Sequence, residues 1–131
     1  MHLLRVAWRD LEGEQTLHVY SLREVCAEKL RCVIQLRQCR DAYDLWVLVE
    51  REHAVGLADV WPIFQLKAKH KNIAATRFFD AWVERQPLYR QGWARELAPY
   101  VGKDIPMVDA VMRQMNRRIG DLHKEVDRWS R

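Results

Sequence analysis

At 131 residues the chain has the length of a single domain able to close one modest hydrophobic core. With 49% hydrophobic and 31% charged residues, and only five glycines and four prolines, it is neither a disordered tail nor a low-complexity linker. A formal charge of +4 permits attraction to a polyanion without requiring it, so the placement of charge matters more than its sum.

Met1 to Asp10 carries Arg5 and Arg9 and has no apolar run long enough for a signal peptide or a membrane span, so a cytoplasmic protein with no membrane contact is expected. Leu3 to Trp8 and Thr16 to Tyr20 are short β-prone runs separated by a polar stretch containing Gly13, the pattern of a two-stranded ribbon. Two strands alone are marginal. The ribbon, residues 1–20, is therefore expected either to pack on helices or to end a catalytic sheet outside this chain, with residues 21–131 forming a helical domain.

Ser21-Leu22-Arg23-Glu24 reads as a capping box, and Tyr20 and Val25 as its hydrophobic staple, which predicts a first helix from Ser21 to about Arg37. Leu22, Val25, Cys26, Leu30, Val33 and Ile34 give it one apolar stripe. A second helix is predicted from Arg40 or Asp41 to Glu52, joined so tightly that the two form an antiparallel hairpin. Asp59 is placed to cap a third helix with Pro62 in its first turn, and Asn72 a fourth that Pro87 closes. A shorter helical stretch surrounds Trp93 and Leu97. Asp104 and Pro106 open the last helix, where Met112, Met115, Ile119, Leu122, Val126 and Trp129 alternate as a packing seam. The fold class is mainly α, a bundle of five or six helices with a short N-terminal β-ribbon.

Three ionic residues break the apolar pattern of the hairpin. Lys29 stands four residues after Val25 and four before Val33, on the buried stripe of the first helix, while Asp41 and Asp44 precede Leu45 and Leu48 by four on the second. Antiparallel packing brings the three to similar heights. Unpaired buried charge costs several kcal/mol, so they must pair, open to a cleft, or meet a charged ligand. Two readings stand open at this point: an ion-pair network of Lys29, Arg40, Asp41 and Asp44 that fixes the register of the hairpin, or a cleft in which Lys29 and Arg40 bind phosphate beside the acids.

The run Ser21-Leu22-Arg23-Glu24-Val25-Cys26-Ala27-Glu28-Lys29-Leu30, with Arg37 and Arg40-Asp41-Ala42-Tyr43-Asp44-Leu45-Trp46, resembles the motif that follows the catalytic half of AbiEii/AbiGii nucleotidyltransferase toxins. A weaker similarity continues through Lys67, Phe78, Trp93 and the final helix. The resemblance implies a polymerase-β-like enzyme that uses a nucleoside triphosphate and magnesium to transfer a nucleotide, in some members onto RNA, as the toxin of a toxin–antitoxin pair. On it, Lys29 and Arg40 are substrate-binding, Asp41 and Asp44 belong to the catalytic cleft, and a cognate antitoxin is a partner. The sequence departs from the family in one respect. Such enzymes need a Gly-Ser or Gly-Gly turn followed by closely spaced acids for the metal, and here no glycine precedes serine, and Glu12-Gly13-Glu14 reads as a solvated turn. The expectation is a C-terminal helical part that supplies nucleotide-binding residues, holds no metal or cofactor itself, and is inactive without an N-terminal catalytic half.

The rival reading is a non-catalytic module that binds RNA or protein. Lys67, Lys69 and Lys71 form a basic cluster with His70 at a helix junction, suited either to a phosphate backbone or to a helix dipole. Arg113, Arg117, Arg118, Lys124, Arg128 and Arg131 against Asp121, Glu125 and Asp127 leave the exposed side of the last helix net positive, suited to RNA or simply to solvent. Cys26, Cys32 and Cys39 lack the spacing of a zinc or redox motif, and most of the six tryptophans are expected in the core.

Overall fold

A computed structural model describes the backbone of residues 15–130 and the side chains of residues 22–130. Its described residues form helices and no strands: α1 (Gln15–Gln35), α2 (Cys39–Trp46) running into a π-helical turn (Val47–Arg51), α3 (Leu57–His70), α4 (Arg77–Val101) and α5 (Val108–Trp129). α1 packs chiefly on α3 and also on α2 and α4, and α5 closes the bundle against α4, α3 and α2.

The N-terminal ribbon needs correction where it can be seen. Thr16 to Tyr20, expected as its second strand, lie in the first turns of α1, while Leu3 to Trp8 fall outside the described residues. Ser21 is consequently interior to α1 and its capping-box pattern starts nothing; Glu24 reaches across to Lys67 of α3 at 3.1 Å. Strand preference is set by neighbours more than by the residues themselves, and a helix once nucleated extends through residues it tolerates. The stripe of Leu22, Cys26, Leu30, Val33 and Ile34 is buried as its spacing requires.

Several boundaries moved for identifiable reasons. Asn72, expected to cap the fourth helix, ends the third instead: with φ 57° it takes the left-handed position, its N–H bonding Lys69 O at 3.1 Å and that of Ile73 bonding Ala68 O at 2.8 Å. This is the Schellman closure, in which Asn is tolerated where glycine is usual. Gly56 rather than Asp59 takes the N-cap of α3, Thr76 that of α4 and Met107 that of α5. Pro62 is interior to α3 rather than in its first turn.

Pro87 does not close α4, which runs unbroken through it and absorbs the short helix expected around Trp93. Proline removes one bond, to the carbonyl of Val83, and Val83 is 66% exposed, so that carbonyl lies on the solvent-facing side. The buried set Phe78, Trp82, Tyr89, Trp93 and Leu97 spans both sides of the proline and keeps the helix continuous through it. In α5, Met112, Met115, Ile119, Leu122 and Val126 are buried as a seam, but Trp129 is 55% exposed and outside it. Trp61, Trp82 and Trp93 are core residues; the indoles of Trp82 and Trp46 donate to Asn116 and Gln114 of α5 at 2.7 Å each, tying α4 and α2 to the terminal helix. No helix among the described residues is long and apolar enough to cross a membrane.

Candidate functional site

The hairpin of α1 and α2 does bring its ionic residues together. Lys29 Nζ lies 2.9 Å from Asp44 Oδ2 and 3.2 Å from Asp41 Oδ1, with side-chain exposures of 16%, 1% and 6% for Lys29, Asp44 and Asp41. Asp41 and Asp44 are one helical turn apart, so both carboxylates point from the same face of α2 at one ammonium. Tyr100, at the end of α4, adds a hydroxyl that donates to Asp44, 3.0 Å from Oδ1 and 3.2 Å from Oδ2.

Both ionisations respond to this enclosure. Burial acts to lower the pKa of Lys29, but attraction and hydrogen bonding to Asp44 and then Asp41 outweigh it, so the net shift is upward and the ammonium is held charged. Burial pushes the Asp44 carboxyl up to about 6, the pull of Lys29 in the opposite direction being too weak to cancel it.

Above the cluster lies a hollow of about 160 Å³ lined by Lys29, Gln38, Arg40, Asp41, Asp44 and Tyr100. Arg40 stands exposed at its rim, its guanidinium 5.5 Å from the centre of the Tyr100 ring and 3.2 Å from Gln38 Oε1. The four residues singled out in the sequence, Lys29, Arg40, Asp41 and Asp44, therefore meet at one place. Tyr100 and Gln38 were missed. Tyr100 lies 56 residues from Asp44, and nothing in its local spacing distinguishes it from a core aromatic.

α4 fixes this geometry from behind. Arg85 donates to Ile34 O at 3.0 Å at the end of α1, and Glu96 Oε1 accepts from the Cys39 N–H at 3.1 Å at the start of α2, where Gln38 makes no side-chain cap of its own. The Cys39 thiol adds a contact to Tyr89 O at 3.5 Å, and burial pushes it up to about 12, as it does the Cys26 thiol. Both are inert packed thiols at neutral pH.

Divalent-metal chemistry can be tested against the donor set. Asp41 and Asp44 are the carboxylates that line the hollow, but the Lys29 ammonium already occupies the position between them that a cation would take. Among the described residues no group of three or more His, Cys, Asp or Glu side chains could hold a metal ion. These residues do not fit magnesium, which asks for oxygen ligands around an octahedron.

The other basic surfaces are separate. Lys67 is paired with Glu24, and Lys67, Lys69 and Lys71 stand on or just beyond the last turn of α3, away from the hollow. On α5, Arg118 and Arg117 both reach Glu50, at 2.6 and 3.4 Å, which offsets part of that helix's positive face. A larger hollow of about 430 Å³ lies between α1, the loop before α3 and α5, but its wall mixes Arg23, His53 and Arg118 with Asp59, Asp121 and Glu125, and Arg23 pairs with Asp59 at 3.8 Å. Its three carboxylates outnumber its two arginines, so it does not attract phosphate.

Compared with known proteins, the sequence model of one family, the nucleotidyl transferase AbiEii toxin of type IV toxin–antitoxin systems, matches residues 1–119. No curated protein and no solved structure matches the chain.

Proposed function

The chain belongs to the AbiEii nucleotidyl transferase toxin family, and from that premise we propose that the hollow over Lys29, Asp41 and Asp44 is the part of a nucleotide cleft that its helices contribute. The observation that carries the reading is one ammonium held between two carboxylates beneath an exposed arginine, on a wall that opens outward. Nucleotidyl transfer joins an acceptor hydroxyl to the α-phosphorus of a nucleoside triphosphate and releases pyrophosphate. It needs cations against phosphate oxygens and a group to receive the hydroxyl proton.

Arg40 is the phosphate ligand in this reading. It is always charged, exposed, and braced on the Tyr100 ring so that its fork is presented to the hollow. Lys29 already has two carboxylate partners, so its role is to keep Asp41 and Asp44 in place. Asp44, with a pKa of about 6, is near the value suited to accepting a proton at neutral pH, and the Tyr100 hydroxyl against both its oxygens is the path to it. Since the carboxylates here do not fit magnesium, the metal required for transfer must be held by residues other than these, and the helices alone bind nucleotide without turning it over. The antitoxin is the partner that the family implies; nothing in the hollow requires it to bind there.

Equilibrium titration with each of the four ribonucleoside triphosphates tests the reading. Arg40→Ala should weaken binding by roughly tenfold, the value of a charge-assisted hydrogen bond, with an unchanged melting temperature because Arg40 is exposed. A wild-type chain that binds none of the four, yet binds RNA with an affinity that collapses when Lys67, Lys69 and Lys71 are neutralised, would replace the cleft with the rival RNA-binding module.

A further inference from the structure

Beside the inner hollow is an outer one of about 350 Å³, lined by Gln38, Arg40, Arg95, Glu96, Pro99 and Tyr100. The two share Gln38, Arg40 and Tyr100, so they are compartments of one depression. We propose that the outer compartment is a phosphate subsite whose two cations are Arg40 and Arg95, and that Arg95 is a binding residue for phosphate groups extending outward from the nucleotide cleft. The proposal rests on the cleft reading above and adds a residue and a polarity to it.

The charges set the polarity. The inner floor carries Lys29 against Asp41 and Asp44, one positive charge against two negative when both acids are ionised, so it repels phosphate. The outer compartment carries two guanidinium groups and one carboxylate. That carboxylate, Glu96, is engaged: Oε1 accepts from the Cys39 N–H, and the side chain lies back over Gly92. Arg95 is exposed and has no hydrogen-bond or ion-pair partner among the described residues, and the polar contact of Arg40 is a neutral one, with Gln38. Two exposed guanidinium groups line one concave surface with no anion committed between them, and a bridging phosphate can accept hydrogen bonds from both. Acids within and arginines without would orient a nucleotide with its phosphates toward Arg95.

Phosphate reaches such a subsite from a free polyphosphate chain or from the phosphodiester of an acceptor RNA, and titration of the whole chain by calorimetry separates them. The probes are inorganic tripolyphosphate and a short oligouridylate without terminal phosphates. The variants are Arg95→Ala, Arg95→Lys and, as a charge-matched control on an exposed arginine of α5 with no partner among the described residues, Arg113→Ala. Arg95→Ala should weaken tripolyphosphate binding by roughly tenfold and Arg95→Lys by less, with Arg113→Ala changing it by under about twofold. Loss confined to the oligouridylate would keep the subsite and make the phosphodiester its ligand. Equal behaviour of Arg95→Ala and Arg113→Ala on both probes, or a wild-type chain that binds neither, overturns the proposal. If Arg40→Ala weakens nucleotide binding while Arg95→Ala does not, the outer subsite fails and the inner cleft stands.

Discussion

Lys29 touches both acids, and the energetics of that contact decide how it can be probed. Removing one partner of a buried ion cluster leaves the others without compensation, which costs about 3–5 kcal/mol, whereas replacing the whole cluster by neutral groups of similar shape is close to neutral. Lys29→Met should therefore destabilise the fold by an amount in that range in urea unfolding, and the triple variant with Asp41→Asn and Asp44→Asn should recover most of it. A Lys29→Met protein as stable as the parent would mean that water already screens the three charges. The Asp44 shift has a pH signature of its own. A carboxyl raised from 3.8 to about 6 by folding binds its proton more tightly in the folded state, so its contribution to stability is fully present below 3.8 and is lost as pH rises through about 6. Lys29 carries the same sign far higher, its contribution being lost only above 10.5. Unfolding free energies at pH 5 and pH 7 should thus differ less in Asp44→Asn than in the wild type, with the wild type gaining on acidification; an identical difference in the two proteins would show that Asp44 titrates near its ordinary value.

At the level of elements, α4 sets the hairpin. Arg85 caps the end of α1, Glu96 caps the start of α2, and both come from one rigid helix, so the height at which Lys29 meets Asp41 and Asp44 is imposed from outside the pair. Gly92 belongs to this device. A Cβ there would collide with the Glu96 carboxylate and come within 3.5 Å of Cys39 Sγ. Gly→Ala in a helix ordinarily gains about 1 kcal/mol, and loss of an N-cap costs about the same or more. Gly92→Ala should consequently bring no gain in melting temperature, whereas in a Glu96→Ala background the same substitution should stabilise. A straightforward rise in the single variant would detach Gly92 from the cap. The stripe of α1 and the seam of α5 were legible in the sequence because a 3.6-residue rhythm is imprinted by burial on one side. The boundaries were not. Pro87 looks like a stop locally, yet it costs one hydrogen bond against the burial of Trp82, Tyr89 and Trp93 around it, and Asn72 has the chemistry of both a start and an end, with only the neighbouring chain to choose between them.

For the molecule as a whole, the question is whether its positive charge is a nucleic-acid surface or is spent internally. The net +4 is spread over a surface where Lys67 pairs with Glu24, Arg90 with Asp109, and Arg117 and Arg118 with Glu50. In the depression beside Tyr100, by contrast, two arginines face one hollow without ion-pair partners among the described residues. Its inner half was readable in advance, since Lys29, Asp41 and Asp44 violate a pattern that their neighbours keep; its outer half was not, because Arg95 and Tyr100 are joined to it only by the path of α4. Lys69 and Lys71, exposed where α3 ends, complement its dipole, a term of about 0.3–1 kcal/mol each that salt screens. Replacing Lys67, Lys69 and Lys71 by glutamine should therefore lower stability slightly at low salt, with the difference fading as ionic strength rises, and should leave tripolyphosphate affinity within about twofold of the parent. If nucleotide or polyphosphate binding instead fell by orders of magnitude in that variant, the phosphate-binding face of the molecule would lie at the end of α3, and the depression between α2 and α4 would be only the seam of a tightly paired hairpin.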